Sequence, residues 1–273
     1  MSKILQNMSS INYLETDQLK FSKSFADLES QDNRTKCPKC NNKRKYYCYD
    51  CVVAIGGHEP PKPIHHLPVQ VHIIRHKSES RSKSSIIPLK LAYPEDVFLY
   101  EFTQPNRFDI TKTEGSVSPS FPPNFDWEHT ALLFPEEGVS KTVDEIVRSS
   151  DSRSDQVRDV IKNIIVIDST WSTALQVIKR TREMGNIRMR IKLGSGNRTI
   201  FWRHQKIDRS CLATCEAIYV LMRELWDVNE TVYDHRYDDV LYYYVFVHSL
   251  INDHYRTTKR HKGHLPEYAL VDN

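Results

Sequence analysis

The stretch NIIVIDSTWSTALQVIK, residues 163–179, changes its hydrophobic period halfway along. After Asn163 come four consecutive β-branched residues, which are typical of a strand buried on both faces of a parallel sheet. From Ser172 onward the apolar residues recur at helical spacing, so the pattern predicts a strand that leads into a helix. Asp168 then lies at the carboxyl end of the strand, where open α/β sheets bind their ligands.

The same alternation continues on both sides of this stretch. Before this stretch, strand alternates with loop or helix through VQVHIIRH, IIPLKLAY and VFLYEF, and then through TALLFPEEG and the helix VDEIVRSS. After it come IRMRIKL and the helix TCEAIYVLMRELW. Interleaved strands and helices predict an α/β fold with a mostly parallel sheet. A segment at 103–129, rich in Pro, Ser and Asn, interrupts the pattern as a surface excursion, a lid or a disordered stretch.

Composition and patterning divide the chain into four regions. Residues 1–35 are polar and weakly patterned, and we expect them to be flexible or peripheral, with one short helix within 12–28. Residues 36–67 carry four cysteines and a Pro- and His-rich linker, and residues 68–250 form the α/β domain. Residues 251–273 end a long amphipathic helix as a basic tail.

The overall composition is that of an ordinary globular protein, with 273 residues, 39% hydrophobic and 27% charged. No apolar run approaches the roughly 20 residues of a membrane-spanning helix, and the amino terminus lacks the apolar core of a secretory signal. We therefore expect no membrane partner and an intracellular location, in the nucleus or the cytoplasm. A net charge of +3 does not by itself indicate a nucleic-acid-binding protein, and the oligomeric state stays open.

Four cysteines form two C-x-x-C pairs in the segment CPKCNNKRKYYCYDC. Seven residues separate the pairs, which is typical of two knuckles that close one tetrahedral zinc site. A disulfide is disfavoured inside the cell, so the alternative is four buried cysteines without a ligand. Four thiolates leave no open coordination position, and the zinc is therefore expected to be structural. The predicted zinc ligands are Cys37, Cys40, Cys48 and Cys51.

Glycine-rich nucleotide-binding motifs are absent. The sequence GSG at 194–196 has no third glycine at the required spacing, and eight glycines are few for a Rossmann domain. The GSG sequence is therefore typical of a turn. The P-loop, G-x-S-x-G and H-E-x-x-H patterns do not occur either, which disfavours P-loop and hydrolytic chemistry.

Four short segments stand near the ends of successive strands: HKSESR, LLFPEEG, DSTW and CLATCEAI. In this order they resemble the DTW-domain family of tRNA-uridine aminocarboxypropyltransferases, and the resemblance covers roughly residues 35–250. The family's D-x-T-W signature is matched by Asp168, Thr170 and Trp171. Its proline-acidic turn is matched by Pro135 and Glu136, and its S-T-x-E-A helix start by Thr214, Glu216 and Ala217. Three positions depart from the family pattern, namely Lys77, Ala213 and Cys215.

The resemblance implies a fold similar to SPOUT methyltransferases, with S-adenosylmethionine bound in a knotted crevice. True knots are rare, and the periodicity of a sequence does not reveal them. The resemblance also implies transfer of a 3-amino-3-carboxypropyl group to N3 of a uridine in the D-loop of tRNA. The implied residues that bind the co-substrate are Leu133, Phe134, Pro135, Asp168, Thr170, Trp171, Leu212, Ala213, Thr214, Glu216 and Ala217.

Asp168 is the candidate catalytic residue. Uridine N3 is weakly acidic and has to attack the γ-carbon of the methionine moiety, which expels methylthioadenosine. A carboxylate at that point can remove or orient the N3 proton and favour the sulfonium. The structural alternatives are an N-cap role for Asp168, core packing for Trp171, and a helix cap with a first-turn acid for Thr214 and Glu216.

Basic residues concentrate in RHKSESRSKS, at 75–84, and in HYRTTKRHKGH, at 254–264. Such runs are either solvated surface or contacts to the phosphates of RNA. The candidate RNA contacts are His76, Lys77, Arg81, Lys83, Arg203, His204, Lys259, Arg260 and Lys262.

Two rival functions remain at this point. A SPOUT-type RNA methyltransferase would use the same co-substrate but transfer its methyl group. A zinc-containing RNA-binding protein without catalysis would retain RNA and bind no S-adenosylmethionine.

Overall fold

The computed structural model describes residues 11–104, 107–108, 117–118, 124–149, 160–180, 184–185, 187–200, 210–228 and 232–258. Two short antiparallel hairpins come first. They pair β1 (Thr35–Lys36) with β2 (Lys43–Arg44), and β3 (Tyr47–Cys48) with β4 (Val53–Ala54).

The central sheet contains five parallel strands: β5 (Gln70–His76), β6 (Val97–Gln104), β9 (Thr130–Leu133), β10 (Asn163–Asp168) and β11 (Met189–Ile191). Their spatial order is β11-β9-β10-β5-β6. Two short strands extend the β6 edge, where β7 (Arg107–Phe108) pairs antiparallel and β8 (Val117–Ser118) pairs parallel. The predicted α/β class with a mostly parallel sheet is therefore confirmed.

Helices connect and cover these strands. They are α1 (Ala26–Glu29), α2 (Ile86–Ala92), α3 (Val143–Ser149), α4 (Trp171–Arg180), α5 (Thr214–Asp227) and α6 (Tyr242–Thr258), with 3-10 turns at Thr16–Gln18, Arg81–Lys83 and Asp238–Leu241. IIPLKLAY thus forms a helix between two strands. None of the described helices combines the length and apolarity that crossing a membrane requires.

Alternate residues of β10 point into two different cores. Ile164 and Val166 pack in a large core with residues of α2, α5 and α6, whereas Ile165 packs on the other face with Ala174 and Val177 of α4. Burial on both faces explains why the strand is β-branched throughout instead of alternating with polar residues.

The amino-terminal segment differs from the prediction where it is described. Tyr13 and Leu14 are buried in the large core, and Leu28 packs with Tyr242 and Phe246 of α6. These few apolar side chains form no periodic pattern in the sequence, yet they reach two parts of the core. Most of the 103–129 segment lies outside the described residues.

Candidate functional site

A cavity of about 380 Å³ opens at the carboxyl ends of β9 and β10. Its volume falls within the range of about 300–1,000 Å³ that is usual for small-molecule sites. Three chain segments that follow β9, β10 and β11 form its walls together with the start of α5. The lining residues are Leu133, Phe134, Pro135, Val166, Ile167, Ser169, Ala174, Leu193, Gly194, Ser195, Gly196, Asn197, Ser210, Leu212, Thr214 and Ala217.

The structure brings together most of the residues predicted to bind the co-substrate. Those that line the cavity are Leu133, Phe134, Pro135, Leu212, Thr214 and Ala217. Thr170 is exposed just before α4, and the side chain of Trp171 lies outside the described part of the chain. Ala213 is the N-cap of α5, and Glu216 is buried beneath the cavity wall.

Asp168 is not a lining residue of this cavity, but its chain neighbours Ile167 and Ser169 and its partner Thr214 are, and its carboxylate joins three elements. The Ser84 hydroxyl, just before α2, donates a hydrogen bond of 2.8 Å to its Oδ2, and the Thr214 hydroxyl donates one of 2.7 Å to its Oδ1. The residue is 7% exposed. Burial raises the pKa of the carboxyl, while Thr214, Ser84 and the charge of Arg75 lower it. Each oxygen has a second lone pair, so the carboxylate can still accept another proton donor.

The two capping alternatives are wrong in detail. Helix α4 begins at Trp171, so Thr170, and not Asp168, occupies its N-cap position. Likewise Thr214 is the first residue of α5, and its hydroxyl donates a hydrogen bond to Asp168. Ala213 occupies the N-cap position. Glu216 does satisfy the start of its helix, because its Oε2 accepts a hydrogen bond of 2.6 Å from the Ala213 backbone N–H.

Arg75 is a residue that the sequence prediction missed. It is the cross-strand partner of Asp168 in the β5–β10 register, and its side chain pairs with Glu101 of β6. Arg81 pairs with the same carboxylate at 2.8 Å and donates to the backbone carbonyl of Asp50 at 3.2 Å. This chain of ion pairs links the carboxyl ends of β5 and β6 to the cysteine-containing hairpins.

Two buried carboxylates on α5 hold the cavity wall at 194–200. Glu224 accepts a hydrogen bond of 2.7 Å from the Gly194 backbone N–H, and Glu216 accepts one from the Thr199 hydroxyl at 2.7 Å and one from the Ile200 N–H at 2.8 Å. The predicted turn is present, and Gly196 has a φ of 107°, which favours glycine. A wall function for this turn was not predicted, because no local motif encodes it.

Glu216 has no exposed surface and accepts a fourth hydrogen bond, of 3.0 Å, from the Tyr244 hydroxyl of α6. Burial raises the pKa of its carboxyl to about 7, although the four donors favour the carboxylate. Glu216 therefore ties together the start of α5, the 194–200 wall and α6.

The four predicted zinc ligands lie together. The sulfur atoms of Cys37, Cys40, Cys48 and Cys51 are all within 4.8 Å of one another, and the Sγ atoms of Cys40 and Cys48 are 3.6 Å apart. That separation is close to the roughly 3.8 Å expected between thiolates around tetrahedral zinc and far from the S–S bond length of about 2.05 Å. The donor set therefore fits zinc.

Each C-x-x-C pair forms a tight turn of similar geometry. The residue that follows each pair has a positive φ, 62° at Asn41 and 50° at Val52. A left-handed valine is costly because it is β-branched, so a strong local constraint must hold this conformation. Burial raises the pKa of the Cys37 thiol, but the backbone N–H groups of Cys40 and Lys39 together with the thiols of Cys48 and Cys40 lower it to about 7.

The predicted RNA contacts are not equivalent. Lys77 and Lys83 are exposed, whereas Arg81 is held by Glu101, and half-buried His76 bonds to the Ser78 hydroxyl at 2.6 Å. Burial lowers the pKa of His76. The other candidates lie outside the described residues: Arg203, His204, Lys259, Arg260 and Lys262.

Comparison with known proteins places this site in a family. The family model described as DTW domain matches residues 34–252. A relative from Xenopus laevis, named tRNA-uridine aminocarboxypropyltransferase 1, is 30% identical over 250 residues, covering 85% of this chain and 85% of the relative. Relatives of the same name from Mus musculus and Homo sapiens are 28% identical, and in both cases the match covers 82% of this chain and 79% of the relative. No solved structure matches the chain.

The matched range contains the cysteine cluster, all walls of the cavity and Asp168. It also contains the four motifs in the order that the sequence predicted. The chain therefore belongs to the DTW domain family.

Proposed function

We propose that this protein transfers the 3-amino-3-carboxypropyl group of S-adenosylmethionine to N3 of a uridine in tRNA, within the D-loop. The relatives' shared name supports the reaction. The observation that carries it is the 380 Å³ cavity at the carboxyl ends of β9 and β10, whose lining residue Thr214 is hydrogen-bonded to Asp168. The products are the modified uridine and methylthioadenosine.

The cavity suits S-adenosylmethionine in size and chemistry. Leu133, Phe134 and Leu212 offer apolar contact to the adenosine. The 194–197 turn forms one wall, and the start of α5 at Thr214 gives the cavity a positive dipole that suits an anionic group such as the amino acid carboxylate.

Asp168 is the proposed base in the transfer. Uridine N3 forms a bond to the γ-carbon, the bond from that carbon to sulfur breaks, and the N3 proton passes to the carboxylate. The positive charge of the sulfonium and the negative charge of the carboxylate are both lost in this step, so the products carry no additional net charge. Burial raises the pKa of Asp168 and so increases its basicity.

Three finer assignments belong to the same proposal. The order β11-β9-β10-β5-β6 with helices on both faces is compatible with a SPOUT-like domain whose chain is knotted at the cavity. The four cysteines hold a structural zinc. The enzyme works inside the cell, in the nucleus or the cytoplasm, where reduced thiols persist and tRNA is present.

Isotope-labelled S-adenosylmethionine tests the reaction directly. Purified protein is incubated with tRNA and co-substrate labelled either in the methionine chain or in the methyl group, and digested nucleosides are analysed by mass spectrometry. We expect the chain label in uridine and methylthioadenosine as by-product. Methyl label in RNA with S-adenosylhomocysteine would establish the methyltransferase instead, and tRNA binding without either product would establish the non-catalytic RNA-binding protein.

Glu216→Gln should weaken S-adenosylmethionine binding and lower the unfolding temperature by several degrees. Each Glu216 oxygen accepts one backbone N–H, so a Gln amide nitrogen must face one of them wherever it points. A buried N–H without an acceptor costs about 1–3 kcal/mol. Calorimetry measures both effects.

Glu224→Gln is the matched control. Its carboxylate accepts only the Gly194 N–H among the described donors, and a Gln oxygen can replace that acceptor. Equal effects of the two variants would refute the special role of Glu216 in holding the wall.

Replacing Lys259, Arg260 and Lys262 together by alanine should weaken tRNA binding and flatten its salt dependence, because cationic side chains release counterions from RNA. S-adenosylmethionine affinity should stay the same. A binding titration at several salt concentrations measures the slope, and an unchanged slope would assign these residues to solvated surface.

A further inference from the structure

The zinc-binding region carries a concentration of positive charge that a structural metal site does not require. Residues 33–49 contain six basic and no acidic side chains. Arg34, Lys36, Lys39 and Lys43 are exposed and Lys45 is half-buried, and among the described residues only Arg44 forms an ion pair here, with Asp50 at 2.7 Å.

The β1–β2 hairpin places two of these charges against each other. Lys36 and Lys43 are direct cross-strand partners in its register. Like charges in opposite positions destabilise a strand pair, and this hairpin has only two residues in each strand. A bound polyanion would neutralise both side chains and remove the repulsion between them.

The charged hairpin is connected to the sheet through the second cysteine pair, because Arg44 of β2 pairs with Asp50 at 2.7 Å and its guanidinium lies 4.1 Å from the centre of the Tyr49 ring. Tyr49 and Val52, from the second cysteine pair, line a small cleft together with Arg75 of β5 and Glu101 of β6. Arg75 is in turn the cross-strand partner of Asp168. An RNA that presents a uridine to Asp168 therefore approaches the edge of the sheet to which Arg44 and the second cysteine pair connect this hairpin.

We propose that the β1–β2 hairpin is a docking surface for the sugar-phosphate backbone of the tRNA, with Arg34, Lys36, Lys39, Lys43 and Lys45 as the contacting residues. This inference rests on tRNA as the substrate in the proposed function. The zinc would then also support RNA binding, because the metal holds the two knuckles that carry these side chains.

A different explanation is that the basic side chains compensate the negative charge of the metal site, because zinc with four thiolates has a net charge of −2. The two explanations predict different effects of the same substitutions. Loss of compensating lysines would weaken zinc binding, whereas loss of phosphate contacts would weaken RNA binding and leave the metal in place.

The double variant Lys36→Gln and Lys43→Gln separates these explanations. We expect tRNA binding to weaken on the order of tenfold at physiological salt, and the slope of log affinity against log salt to fall in magnitude by about 2. Zinc content and S-adenosylmethionine affinity should not change. The unfolding temperature should stay level or rise, because the repulsion between the opposed lysines is gone.

The matched control removes two charges elsewhere, by Lys162→Gln and Lys179→Gln. Lys162 precedes β10 at its amino end, where its ammonium lies 3.5 Å from Asp126, and Lys179 is exposed in the last turn of α4, so both are remote from the carboxyl edge of the sheet. A salt slope that is unchanged, or changed equally in the control, would overturn the docking surface. Loss of zinc with an unchanged slope would assign the lysines to charge compensation.

Binding is measured without S-adenosylmethionine, so the result does not depend on catalysis. If no aminocarboxypropyl transfer is found but the hairpin variant still loses tRNA affinity and slope, the docking surface stands and the proposed reaction fails.

Discussion

Asp168→Asn should slow modification of tRNA by at least about a hundredfold while tRNA and S-adenosylmethionine still bind. A general base contributes about 10²- to 10⁴-fold to rate, and the amide cannot accept the N3 proton. The fold should survive, because the hydroxyls of Ser84 and Thr214 can rotate to accept hydrogen bonds from the new amide. Single-turnover formation of the modified uridine measures the rate.

Ser84→Ala is the control for a purely structural role of Asp168. This variant removes one partner of the carboxylate but leaves the base in place, so its rate should fall much less than that of Asp168→Asn. Similar losses in both variants would mean that Asp168 acts by holding α2 and α5 in position. A near wild-type rate for Asp168→Asn would place the base elsewhere.

The pH dependence of the same rate provides an independent measurement. Burial raises the pKa of Asp168 above its ordinary value, so the ionised base should appear at a higher pH than for an exposed aspartate. The wild-type rate should therefore rise with pH through that pKa, and the Asn variant should lack this rise.

Cys48→Ser should remove most of the zinc and lower the solubility of the protein. Wild type should contain about one zinc per chain with sulfur ligation, and structural zinc contributes roughly 10–16 kcal/mol of apparent binding energy in small domains. Cys48 is fully buried, and the neighbouring Tyr47 ring packs against Tyr243 of α6 at 5.6 Å. Loss of the metal should therefore loosen the contact between the hairpins and α6. Metal analysis and thermal unfolding measure both effects.

Cys211→Ser tests the specificity of this effect, because Cys211 does not belong to the cluster. It should keep the zinc and most of the stability. Undamaged wild-type protein without zinc would contradict the assignment and leave three buried cysteines and the half-buried Cys40 packed without a metal.

Local patterns in the sequence were sufficient to predict several parts of this protein. The β-branched run of β10 predicted a strand buried on both faces, and the spacing of the cysteine pairs predicted their cluster. The position of Asp168 at the end of β10 follows from the change of period after it. These features depend on neighbouring residues, and periodicity and spacing record such relations directly.

Only the tertiary structure decided which residues surround Asp168 and how the cavity is closed. Ser84 and Thr214 lie 84 and 46 positions from Asp168 along the chain, and Glu216 collects its donors from three separate segments. The GSG turn was predicted as a turn, but its place in the cavity wall follows from Glu224 and Glu216 on another element. Likewise a lysine in each of two strands is ordinary until the register sets Lys36 opposite Lys43. Such contacts arise when sheet order and helix packing bring remote segments together, and no local periodicity encodes that geometry.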